Sequence, residues 1–102
     1  HIDLGISVQL PEGSEMRTAP RSSTFKNYGL LQSNGIGVVD ESYCGDDDVL
    51  MMPVFATRDT HISVNDRICQ FRIFKHQPEI VFEEKDHLGT ESRGGFGSTG
   101  RA

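Results

Sequence analysis

Ile2-Asp3-Leu4-Gly5-Ile6-Ser7-Val8-Gln9-Leu10 places an apolar side chain at every even position and Asp, Gly, Ser or Gln at every odd one. Successive side chains of a strand point to opposite faces, so this period of two predicts a half-buried β-strand over Ile2–Leu10. The same grammar recurs down the chain. Pro11-Glu12-Gly13 supplies a turn, Met16–Pro20 reads as a second strand, and further strands are predicted at Gly37–Asp40, Val49–Ala56, His61–Val64, Arg67–Phe74 and Glu79–Glu84. Asp46-Asp47-Asp48, Arg58-Asp59, Asn65-Asp66 and His76-Gln77-Pro78 punctuate them. Pro53 has no N–H for a ladder, so it marks an edge, a bulge or a strand end. The one helix predicted is a turn or two over Ser22–Tyr28, stopped by Gly29. Many short strands at this spacing predict an all-β sandwich or barrel.

At 102 residues the chain is long enough for one hydrophobic core. With 35% hydrophobic and 25% charged residues that core is thin for a monomer, and burial between subunits is one remedy. The net charge of −5 argues against a nucleic-acid-binding protein, which relies on a positive surface. No apolar run approaches the roughly 20 residues that span a bilayer, and no signal-peptide pattern is present, so a cytoplasmic or otherwise intracellular protein is expected. Cys44 and Cys69 lack zinc or redox spacing and are expected as free thiols. The chain starts at His1 with a strand already under way, which implies further residues upstream.

After Leu88 the composition changes. Residues 89–102 hold five glycines, one aromatic, Phe96, and no aliphatic side chain larger than that of Ala102. Such a segment buries too little to order itself and reads as a disordered tail. The alternative is an arm that orders over a ligand, glycine amides facing anionic oxygens and Phe96 covering a flat group.

Four ordered motifs carry a resemblance. They are Ala19-Pro20-Arg21-Ser22-Ser23, Gly37-Val38-Val39-Asp40-Glu41-Ser42-Tyr43-Cys44-Gly45-Asp46, Asp66-Arg67-Ile68-Cys69-Gln70, and Arg93-Gly94-Gly95-Phe96-Gly97-Ser98-Thr99-Gly100. Together they resemble motifs two to five of the homotrimeric dUTP diphosphatase (dUTPase) family, over essentially the whole chain. The first motif, with its Asp-Leu pair, has no equivalent here. Asp3-Leu4 sits too close to the Pro11 turn, and its alternation belongs to the strand that follows that motif.

The resemblance implies a jelly-roll-like β-barrel of the β-clip type with one short helix, spanning residues 1–88. Residues 89–102 would form a flexible arm closing over a neighbouring subunit's site. It further implies hydrolysis of dUTP to dUMP and pyrophosphate, keeping uracil out of DNA and supplying dUMP for thymidylate synthesis. Asp40 then orients and deprotonates the water that attacks the α-phosphorus. Taken alone, Asp40-Glu41-Ser42 reads as an ordinary hairpin end. Arg21, Ser22, Ser23 and Gln70 are implied phosphate contacts, although Arg21 alone reads as a surface residue, Ser22 as a helix cap and Gln70 as an exposed strand polar.

Tyr43 is implied to pack on deoxyribose and exclude a 2′-hydroxyl. Asn34 offers an amide to the uracil edge, or else makes a plain turn with Gly35. Gly37 permits close backbone approach to the base and leaves no room for a 5-methyl group. In the arm, Phe96 would stack on uracil, Arg93 would face the terminal phosphate, and Gly97, Ser98 and Thr99 would add donors. Many family members carry two more residues between this Arg and Phe. Mg²⁺ is the implied cofactor, held mainly by the triphosphate and waters, while Asp46-Asp47-Asp48 reads as a solvated tip. Two other readings stand beside the enzyme: a catalytically weak nucleotide-binding regulator, and a dCTP-acting relative of the same fold.

Overall fold

The computed structural model describes residues 1–94. Its elements run β1 (Ile2–Asp3), β2 (Ser14–Pro20), α1 (Thr24–Tyr28), β3 (Leu30–Gln32), β4 (Gly37–Val39), β5 (Met51–Met52), β6 (Val54–Ala56) and β7 (Cys69–Lys75). The all-β expectation holds. Among the described residues the ladders form three small sheets, ordered β1-β5, β4-β2-β7 and β3-β6.

β2 organises the molecule. It pairs antiparallel with β7 along its whole length, Ser14 opposite Lys75 through Pro20 opposite Cys69. On its other edge it pairs with β4, Met16 opposite Val39 and Thr18 opposite Gly37. Ser14, Met16 and Thr18 point inward and are buried. Met16 joins Leu10 and Leu50 in the core, with Leu4, Val8 and Val39 packed against it. The turn that enters β2 is the expected one: Ser14 N–H reaches the Pro11 carbonyl at 3.2 Å, and Gly13 takes φ +78, a region that suits glycine.

The core is closed in part by polar side chains with fixed partners. Thr24, wholly buried, donates its hydroxyl to the Ile68 carbonyl at 2.7 Å and accepts the Arg21 N–H at 2.9 Å. This bond ties the start of α1 to the segment that leads into β7. Gln32 Nε2 donates to the Thr18 carbonyl at 3.3 Å, joining β3 to β2. Gly29 ends α1 in the left-handed conformation, its N–H on the Phe25 carbonyl at 2.7 Å.

Several expectations need correction. The predicted Ile2–Leu10 strand makes ladder pairs only at Ile2 and Asp3. Gly5 at φ +79, its N–H held by Asp3 Oδ1 at 2.6 Å, bulges the chain. Backbone bonds between Leu4 N and Leu50 O, and between Leu50 N and Ile6 O, carry the pairing across it. The run Val49–Ala56 is cut at Pro53 into β5 and β6, which enter different sheets. β3 was not expected at all. The helix starts at Thr24 and excludes Ser22, and Ser23 at its N-cap makes no side-chain capping bond. His61–Val64 forms no ladder among the described residues and instead leads into a turn over Ser63–Asp66, Asp66 N–H donating to the Ser63 carbonyl at 3.1 Å and Asp66 Oδ2 accepting the Ser63 N–H at 2.8 Å, with Asn65 at φ 72.

Glu79–Glu84 is also without a ladder, although its apolar residues are strand formers. A strand is held by its ladder partner, and among the described residues this segment has none. Val81 and Phe82 are 86% and 91% exposed as a result. The radius of gyration is 19.4 Å, against about 13 Å for a compact chain of this length.

The Thr24 hydroxyl is the most readily tested of these contacts. Thr24→Val leaves the Arg21 N–H and the Ile68 carbonyl without their buried partner and is expected to destabilise by about 1–3 kcal/mol in urea unfolding. Thr24→Ser, which keeps the hydroxyl, should fall well short of that loss.

Candidate active site

Beyond Val39 the chain leaves the sheet, and Asp40 is the first residue past the β2–β4 ladder. The turn it opens is closed by backbone, Tyr43 N–H donating to the Asp40 carbonyl at 3.0 Å. Asp40 Oδ2 accepts the Ser42 N–H at 2.9 Å and also the Ser42 hydroxyl. The Ser42 hydroxyl, then its N–H, hold the Asp40 carboxyl below the usual carboxylate range, so it is ionised at neutral pH. The other oxygen, Oδ1, lies 4.0 Å from His76 Nε2, on a side chain that is 60% exposed.

A cavity of about 420 Å³ opens beside this carboxylate, lined by Asn34, Gly37, Asp40, Tyr43, Thr18 and Leu50 among others. Each wall has a local cause. Gly37 is pressed against Thr18, and a methyl group there would overlap the Thr18 Oγ1. Gly35 at φ +71 turns the chain so that Asn34 stands at the cavity's edge. The Tyr43 hydroxyl donates to the Val49 carbonyl at 2.9 Å, which pins the far end of the ring while its face stays accessible. A carboxylate, an amide, a fixed aromatic ring and a close backbone approach thus converge on one concavity, the set of groups that can grip a polar flat ring and a sugar.

Arg21 and Gln70 are placed elsewhere. They line a second cavity, of about 330 Å³, together with Asp66, Arg67 and Leu4. Arg21 Nη1 donates to the Arg67 carbonyl at 3.1 Å and Gln70 Nε2 to the Pro20 carbonyl at 2.9 Å. Ser22 and Ser23 lie in the turn before α1, the first exposed and the second half-buried. The structure therefore brings together Asp40, Asn34, Gly37 and Tyr43, and separately Arg21 and Gln70, without joining the two sets. Arg93 is exposed and lines neither cavity. Phe96, Gly97, Ser98 and Thr99 lie outside the described residues.

Among the described residues no three His, Cys, Asp or Glu side chains converge as a cation site. Asp48 is engaged locally, its Oδ2 accepting the Gly45 N–H at 2.9 Å. Cys44 and Cys69 are free thiols, as expected, and burial pushes the Cys69 thiol up. Sequence reasoning missed one cluster. His76 lies between Glu15 and Glu41, each carboxylate 3.0 Å from a ring nitrogen. Hydrogen bonds to Glu15 and then Glu41 push the imidazole above its ordinary value, and His76 with Arg17 holds Glu15 below its own.

Residues 1–100 match the model of the dUTPase family. The chain belongs to that family. It is 54% identical over 99 residues to the SPbeta prophage-derived deoxyuridine 5′-triphosphate nucleotidohydrolase of Bacillus subtilis (strain 168), covering 97% of this chain and 70% of that relative. It is 37% identical over 102 residues to the deoxyuridine 5′-triphosphate nucleotidohydrolase of Yarrowia lipolytica, covering 97% of this chain and 63% of the other. The chain thus spans about two thirds of the length of these dUTPases. Among solved structures, that of a dUTPase from Streptococcus mutans superimposes with a TM-score of 0.68 at 18% identity, over 78% of this chain and 66% of that one, which shows a shared fold. Among the described residues no helix is long and apolar enough to cross a membrane.

The Ser42 contacts make a direct prediction. Ser42→Ala removes the largest of the influences that hold the Asp40 carboxyl down, the hydrogen bond from the Ser42 hydroxyl, so the Asp40 titration, followed by carboxyl-carbon NMR, should move upward toward the usual carboxylate value. An unmoved midpoint would show that Ser42 does not set the charge of Asp40.

Proposed function

We propose that this dUTPase-family chain hydrolyses dUTP to dUMP and pyrophosphate by attack of water on the α-phosphorus, with Asp40 as the general base. The observation that carries the reading is the exposed Asp40 side chain, which lines a cavity walled by Asn34, Gly37 and Tyr43. A uracil lying on the β4 backbone meets the Asn34 amide as donor and acceptor. The tight contact between Gly37 and Thr18 narrows the space for a 5-methyl group. The pinned Tyr43 ring takes the deoxyribose, and a 2′-hydroxyl would press against it.

The α-phosphate then falls toward Asp40, which is ionised and has one oxygen committed to Ser42. The second oxygen is free to hold a water in line with the bond to be broken. Arg21 and Gln70 from the second cavity of another copy, with Ser22 and Ser23 from the turn before its α1, supply donors for the leaving pyrophosphate, and the preferred assembly is a homotrimer with shared sites. The β-domain runs over 1–88, and residues 89–102 act as the arm that brings Arg93, Phe96, Gly97, Ser98 and Thr99 over a neighbour's nucleotide. Mg²⁺ fits this donor set as an ion carried on phosphate oxygens and water, where it neutralises charge on the triphosphate.

Pyrophosphate release measured with dUTP, dTTP, UTP and dCTP tests the reading. Turnover should be confined to dUTP, and Asp40→Asn should lower kcat by about 10²–10⁴-fold while leaving dUTP binding nearly intact. Turnover of dCTP, or tight dUTP binding without turnover by the unaltered protein, would overturn it in favour of the dCTP-acting or regulatory alternative.

A further inference from the structure

His76 stands where the chain leaves β7, and it closes a ring of hydrogen bonds around the turn that carries Asp40. Its Nε2 meets Glu41 Oε1 at 3.0 Å, Gly13 N–H donates to Glu41 Oε2 at 3.0 Å, and His76 N–H donates to the Gly13 carbonyl at 2.9 Å. Its Nδ1 meets Glu15 Oε1 at 3.0 Å, so the imidazole also anchors Glu41 to β2. Glu41 is the residue after Asp40. What holds Glu41 therefore holds the base, and His76 Nε2 itself lies 4.0 Å from Asp40 Oδ1, the oxygen not taken by Ser42.

A neutral imidazole has one N–H and one lone pair, so between two carboxylates it satisfies one and turns its lone pair on the other. An imidazolium donates to both. The charged groups that face it are Glu15 from β2, with Arg17 at 3.0 Å on the far side of Glu15, and Glu41 and Asp40 from the loop after β4. Three acidic groups against one cation favour the protonated ring.

We propose that His76 is a positioning residue of the reaction: doubly protonated, it locks the Asp40–Glu41 turn against β2, and its deprotonation releases that turn and misaligns the water. The proposal rests on the reading of Asp40 as the base. Deprotonation has two opposed consequences. Removing a cation 4.0 Å from Asp40 makes the carboxylate more basic, but that side chain is largely exposed and solvent screens the effect. Misplacement by about 1 Å can cost about 10²-fold in rate, so the loosened geometry wins. Because the folded imidazole lies above its ordinary value, the clamp is complete below 6.5 and fails as pH rises through the raised value.

The test is the pH dependence of kcat and KM for dUTP in the full-length protein, compared with His76→Gln and His76→Arg. The unaltered enzyme should lose kcat on the alkaline side with a midpoint above 6.5, at nearly constant KM. His76→Gln should lower kcat by about 5-fold or more below 6.5, where the clamp of the unaltered enzyme is complete, and abolish the alkaline fall, so that the two profiles converge at high pH. His76→Arg, permanently charged and with several donors, should restore kcat and hold it through the alkaline range. If His76→Gln does not fold, the contrast between the unaltered enzyme and His76→Arg decides alone. A His76→Gln profile superimposed on that of the unaltered enzyme, a change confined to melting temperature, or an Arg variant no better than Gln would each overturn the role of His76 while leaving Asp40 as base. Absence of dUTP turnover in the unaltered enzyme would instead overturn the parent reading, and this one with it.

Discussion

The position of β2 between β4 and β7 is the constraint on which the rest depends. Its β4 edge has one tight point, where Gly37 meets Thr18, and a side chain at 37 would overlap the Thr18 Oγ1 and require a shift there. One step past the Met16–Val39 pair, Asp40 comes level with Glu15, whereas Gln70 is paired with Ala19 on the opposite edge. Four residues along a strand and two strand spacings across separate them by about 13 Å and about 10 Å. On the proposed roles, Asp40 and Gln70 then stand on different walls of the sheet, and the proposed phosphate donors would reach the α-phosphate from another copy. The separation into two cavities follows from strand order, and it is the physical argument for a site completed by another copy.

The surface of the isolated chain agrees with that argument. Phe71 and Ile73 on β7 are 57% and 49% exposed, and Ile80, Val81 and Phe82 lie on an extended segment without a ladder partner. Arg17 covers one face of Phe74 with its guanidinium 4.3 Å from the ring centre, but its apolar neighbours on β7 stay open. Burial of apolar area contributes about 25 cal/mol per Å², so an assembly that covered β7 and the segment after it would gain from these side chains. The same burial would supply the thin core with what one chain lacks.

Much of the fold was legible because strand and turn signals are local. β2, β4 and β7 and the turn at Pro11–Gly13 stand where alternation and turn residues put them. The failures have physical causes. Gly5 bulges a run whose alternation is otherwise uninterrupted, three residues at Leu30–Gln32 are too few to show a period, and Glu79–Glu84 has strand composition but pairs with no strand among the described residues. At the candidate site, Asn34, Gly37, Asp40 and Tyr43 fall within ten residues around β4, and motif resemblance singled them out. The His76 cluster was not, since its bonds to Glu41 and Glu15 span 35 and 61 residues and no spacing announces them. His76 itself read only as part of a turn.

The claim that one site draws on two chains is tested most directly by complementation. Asp40→Asn and Arg21→Ala proteins, each inactive alone, are unfolded together and refolded as a mixture. If Asp40 of one copy works with Arg21 of another, random assembly leaves roughly a quarter of sites with both groups intact, one half for each position, and that fraction of dUTP turnover returns. Mixed oligomers that form but stay as inactive as the separate variants would contradict the account and place both residues in a site of one chain.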